Sequence, residues 1–154
     1  MFRGALTIVV LLATIWVIGC SGDDESSTGG GDERFTRKAS AADIDIQVRW
    51  LAGDYELEDE LAGYPLDEFT LFRVSLDTHS GDLGSIDMVA AARFAMGGDS
   101  QEPEAWVSES DDSHHRSGVL VFVREAVTGS AALALDFGAE SVEFGWDEAP
   151  EFEE

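Results

Sequence analysis

From Asp43 onward the chain alternates. Ile44, Ile46, Val48 and Trp50 are separated by Asp45, Gln47 and Arg49, the period-two pattern of a strand with one face buried. Further apolar runs follow at 69–76 (FTLFRVSL), 86–96 (IDMVAAARFAM), 105–107, 119–124 (VLVFVR), 131–137 (AALALDF) and 142–146 (VEFGW), divided by Gly, Asp and Ser turns. About seven short strands at this spacing predict an all-β antiparallel sandwich. The run 86–96 reads two ways: Ile86, Met88, Ala90, Ala92, Phe94 and Met96 alternate as in a strand, whereas its alanines favour a helix. The alternation decides for strand. Residues 51–68 are acidic and broken by Gly53, Gly63 and Pro65, a long connection with at most one short helical or edge piece. Trp50, Trp106 and Trp146 lie on strand-like segments with apolar neighbours and are expected in the core.

The first residues follow a different rule. Arg3 is followed by an apolar stretch from Ala5 to Ile18, then Gly19 and Cys20, the layout of a secretory leader. A spanning anchor helix is the alternative, but about 20 apolar residues are needed to cross a hydrocarbon core. Val17-Ile18-Gly19-Cys20 resembles the lipobox of bacterial lipoproteins. The resemblance implies a signal peptide over 1–19, cleavage before Cys20, and acyl chains on Cys20 that anchor the protein stably. Ser21 stands where an Asp would favour inner-membrane retention. The expected location is therefore the outer membrane facing the periplasm in a Gram-negative cell, or the outer face of the single membrane in a Gram-positive one. Cys20 is the sole cysteine, so the exported domain has no intramolecular disulfide available.

Residues 20–40 comprise the lipidated cysteine and a tether, SGDDESSTGGGDERFTRKAS, whose composition buries too little to fold. As a flexible coil of about 20 residues it holds the domain on the order of 25 Å from the bilayer. The sandwich is expected over 41–148, followed by an acidic tail at 149–154.

Charge excludes partners. The chain carries 9 Lys plus Arg against 32 Asp plus Glu, for a net of -23, and Lys38 is its only lysine. Removing the leader takes away Arg3 alone, leaving 8 bases and -24. Nucleic-acid binding requires bases to displace phosphate counterions, so no nucleic-acid partner is expected. The membrane is reached through lipid rather than by surface charge, and an envelope protein is the expected partner. Such acidity also suits a saline habitat.

No phosphate loop, dinucleotide fingerprint, zincin helix or serine-hydrolase elbow occurs in the sequence. With Cys20 consumed by lipid, thiol catalysis has no nucleophile, and the expectation is a protein that is not an enzyme. All three histidines fall in two segments, 77–83 (DTHSGDL) and 111–118 (DDSHHRSG). Strand parity in an antiparallel fold brings both segments to one end of the sandwich, placing His79, His114 and His115 near Asp77, Asp82, Asp111 and Asp112. Imidazole with carboxylate is a donor set for copper, zinc or nickel, so a divalent metal is the alternative expectation. Against it, Arg116 adds positive charge, adjacent residues in extended backbone point opposite ways, and Ser, Thr and Asp around His79 form a self-sufficient turn network.

The same segments resemble a group of small exported or lipid-anchored bacterial and archaeal domains. Their features are a strand ending in a Leu-Asp-Thr-His-Ser-x-Asp-Leu segment, a later Trp, a His-His-x-x-Gly-x-Leu-x-Phe stretch and a closing Phe-x-Trp. Here these are 76–83, Trp106, 114–122 and 144–146. The resemblance implies an immunoglobulin-like sandwich of uncharacterised role. Val119 between Gly118 and Leu120 leaves open which face of that strand is inward.

Overall fold

A computed structural model describes residues 33–52, 55–124 and 129–150. The expected signal peptide, Cys20, residues 21–32 and the end of the acidic tail lie outside the described residues. Among those described, the strands are β1 (Thr36–Ala41), β2 (Ile44–Trp50), β3 (Phe69–Thr78), β4 (Ala92–Met96), β5 (Asp99–Gln101), β6 (Ala105–Asp111), β7 (His115–Val123), β8 (Ala131–Asp136) and β9 (Ser141–Trp146). One helical turn, α1 (Met88–Ala91), precedes β4. All pairings are antiparallel.

One sheet has the order β1-β2-β3-β7-β6 and the other β5-β4-β8-β9. Without β1 and β5, this is the four-over-three strand order of the immunoglobulin fold. The expected sandwich is therefore present, with nine described strands instead of about seven. β1 and β5 escape the sequence pattern because TRKASA and DSQ carry no apolar alternation; an edge strand is held by backbone hydrogen bonds, which need none.

The inner face is built by alternation. Ile44, Ile46, Val48 and Trp50 from β2, Phe72, Val74 and Leu76 from β3, Leu120 and Phe122 from β7, Phe94 from β4, Leu133 and Leu135 from β8, and Phe144 and Trp146 from β9 form one buried cluster. This fixes the face of β7 that the sequence left open. Val119 and Val121 point the other way, into a second cluster with Leu51, Leu61 and Leu71. Residues 55–68 of the connection cross the outer face of that sheet and cover its centre, with a 3-10 turn at Asp59–Leu61. Val119, Leu120, Val121 and Phe122 are consequently buried on both faces of the strand. The strap is clipped at Arg73, which lies 3.0 Å from Glu58 and 2.7 Å from Glu109. Desolvation opposes the Arg73 charge, but the two carboxylates outweigh it and raise its pKa. Burial likewise pushes the neighbouring Tyr55 phenol up, although Arg73 pulls it down.

Two expectations are corrected. The tether does not extend to residue 40: Glu33–Phe35 form a 3-10 turn, Phe35 is buried, its carbonyl accepts the Trp146 indole N–H at 3.2 Å, and β1 pairs with β2 along its whole length. The run 86–96 is not one strand. Asp87 Oδ1 accepts from the Val89 and Ala90 amides, both at 3.1 Å, which caps one helical turn before the chain extends at Ala92.

Glu33 enters and Pro150 leaves at one end of the sandwich, the near end. The opposite, far end carries the β1–β2 turn, the loops after β3 and β6, and the β8–β9 turn. Ala42 and Asp43 join β1 to β2 with φ of 53° and 60°, the doubly left-handed geometry of a type I′ hairpin, which favours Asn-Gly. An alanine there costs about 1–2 kcal/mol. Replacing Ala42→Asn together with Asp43→Gly is expected to raise stability by about 1–2 kcal/mol, read as a higher urea midpoint at unchanged m-value; an unchanged midpoint would show that the turn stores no strain.

Candidate functional site

The far-end loops meet as parity demands. The Thr78 amide donates to the His114 carbonyl at 3.0 Å and the Leu83 amide to the Ser113 carbonyl at 2.9 Å. Thr78 is buried, its hydroxyl 3.0 Å from the Asp43 carbonyl and 2.7 Å from that of Ser80, so it ties the β1–β2 turn to the loop after β3. Asp82 caps the 3-10 turn Leu83–Ser85 by accepting from Gly84 N at 3.0 Å, and Leu83 is buried in the main cluster. The Thr-His-Ser-Gly-Asp-Leu segment therefore works through its Thr, Asp and Leu.

Arg116 joins the two loops. Its Nη1 donates to the Leu83 carbonyl at 2.9 Å and the Ile86 carbonyl at 2.6 Å, while Nε donates to Asp111 Oδ1 at 3.0 Å. Only 10% of its side chain is exposed. The guanidinium also lies over the Trp106 ring, 5.5 Å from the centroid. Trp106 in turn lies across Gly118 on the neighbouring strand. A Cβ at Gly118 would stand 2.5 Å from both ring atom Cζ2 and the Val107 carbonyl oxygen. Glycine at 118 is the condition for that ring position. In the sequence Arg116 reads only as a charge that disfavours metal. Its placement between a His pair and a Ser-Gly, opposite a Trp strand, was the available signal.

The histidines have a different fate. His79 and His114 are exposed. His115 belongs to β7 rather than to a loop, since the β6–β7 connection shortens to Asp112–His114, and it sits directly opposite Asp77 on the outer face, with Nδ1 2.5 Å from Oδ1. The pair is largely exposed, 73% and 57%, so it contributes little to stability. The topology brings all three histidines to the far end, yet among the described residues no group of three or more His, Cys, Asp or Glu side chains is disposed to hold a metal ion. A copper, zinc or nickel centre on His79, His114 and His115 has no preformed coordination set there.

Two loop carboxylates are shifted. A hydrogen bond from Ser108 and the Arg116 guanidinium lower the Asp111 pKa, and the backbone amide of His114 lowers that of Asp112. No protein-family model matches the chain, and no curated protein or solved structure matches it significantly.

Two outcomes follow from these contacts. Gly118→Ala is expected to cost about 1–3 kcal/mol by overpacking and to shift tryptophan emission. Gly145→Ala, which meets nothing within 4 Å, should change stability by less than about 0.5 kcal/mol; equal effects would refute the Trp106 contact. Because the folded pKa of Asp112 is depressed, its contribution is present above the ordinary value of 3.8 and is lost as pH falls through the folded value. The stability difference between the protein and Asp112→Asn should therefore shrink below about pH 4 in denaturation series. A difference independent of pH would contradict the assignment.

Proposed function

We propose that the chain is a lipid-anchored, non-enzymatic β-sandwich of the cell envelope, acting as an interaction module with its far-end loops turned away from the membrane. The observation that carries this reading is the Val17-Ile18-Gly19-Cys20 sequence after an apolar leader, in a chain with no other cysteine. The direction of β1 supports it. The chain enters at the near end and β1 runs toward the far end, so an anchor upstream of Glu33 leaves the Thr78, Arg116 and Trp106 assembly on the distal side.

Lipid anchoring is tested in the producing cell or a Gram-negative host. Globomycin is expected to leave the unprocessed precursor, and Cys20→Ala to abolish labelling by radioactive palmitate and release from the leader. Normal processing and membrane fractionation under both conditions would remove the lipoprotein reading.

A further inference from the structure

The far end holds one feature that the loop knot does not use. An open cleft of about 390 Å³ lies between α1 and the β8–β9 turn, floored and walled by Ile86, Ala90, Ala91 and Phe137, with Asp87 and Asp136 on its rim. Its walls are preformed. Asp87 caps α1, the Ala91 amide donates to the Asp87 carbonyl at 2.9 Å, the Gly138 amide donates to Asp136 Oδ1 at 2.7 Å, and the Phe137 amide closes the turn on the Glu140 carbonyl at 2.9 Å. Ile86 and Phe137 pack inward against the main cluster, so the floor is held from behind.

The charge around the cleft selects its occupant. Among the described residues, Arg93 and Arg116 approach it, and each is paired with a carboxylate. Arg93 donates to the Ala90 carbonyl at 3.1 Å while its Nη2 lies 2.8 Å from Glu102, and Arg116 reaches the Ile86 carbonyl while paired with Asp111. Asp87 and Asp136 remain as the net charge of the rim, on a chain of net charge -23. A second copy of the chain would bring like charge against like charge. We propose that this cleft docks a cationic partner segment, an apolar side chain flanked by Lys or Arg. The proposal rests on the envelope-module reading only for the outward orientation of the cleft.

A titration of the isotope-labelled full chain in detergent micelles tests it, with two probe peptides of equal charge, Lys-Lys-Leu-Lys-Lys and Lys-Lys-Gly-Lys-Lys, followed by NMR. The leucine peptide is expected to bind about tenfold more tightly than the glycine peptide, with saturable shifts centred on Ile86, Ala90, Ala91 and Phe137. Ala90→Lys should erase that preference, whereas Ser110→Lys, the same charge change at an exposed position elsewhere, should leave it intact. Equal affinities, or shifts spread over the whole acidic surface, would reduce the interaction to general charge attraction and overturn the proposal. Because no step depends on Cys20, this result and the globomycin result fail independently.

Discussion

Five aromatic rings from four of the strands that follow the β1 hairpin arm, plus its partner β2, hold the two sheets together. Trp50 lies 5.0 Å from Phe72, 5.7 Å from Phe94 and 5.4 Å from Trp146; Phe72 also meets Phe94 at 5.0 Å, and Phe122 meets Phe72 at 5.9 Å and Phe94 at 5.3 Å. In antibody domains this position is taken by a disulfide between the sheets packed against a Trp. Here the only cysteine is Cys20, outside the described residues. Aromatic pairs contribute about 0.5–1.5 kcal/mol each beyond their buried area, so a handful of them reaches the about 2–4 kcal/mol typical of a disulfide. The cluster explains why a strongly acidic chain without cross-links closes into a sandwich. It is also what draws β1 into the fold, since the Trp146 indole that completes the cluster donates to the Phe35 carbonyl.

The far end is stabilised differently, by polar groups with assigned partners. Thr78, Asp82, Arg116 and Asp111 each satisfy a specific backbone or side-chain group, and Trp106 over Gly118 seals the side of the assembly. A half-satisfied network of this kind would cost more than an apolar one. Arg116, with three hydrogen bonds and a ring beneath it, is the member whose loss would open both loops.

Much of the fold was legible because burial imposes period two. β2 and the β8–β9 hairpin follow their alternation directly, and Trp50 and Trp146 are in the core as their neighbours implied. Parity placed the two histidine segments at one end for the same reason: antiparallel strands return the chain to the same side at every second connection. What escaped was governed by backbone. β1 carries Thr, Arg, Lys and Ser yet pairs fully with β2, and Asp87 turned an alternating run into a helical turn through two hydrogen bonds to backbone amides. The chemistry of the far end was legible as a set of residue types but not as roles, because a histidine beside an aspartate has the same spelling in a metal site, a turn network and an exposed pair.

Legible without any fold were the acidic composition, the apolar run that precedes Val17-Ile18-Gly19-Cys20, the lack of a second cysteine for an intramolecular disulfide and the alternation that makes a sandwich. These depend on residue identity and local period alone. It took the fold to show that residues 33–41 belong to it, which face of β7 is inward, that residues 55–68 roof the outer face of their sheet, and that Arg116 rather than any histidine joins the two loops. Each of these depends on which groups far apart in the chain come within hydrogen-bond or van der Waals distance, and that is set by the packing of the sheets.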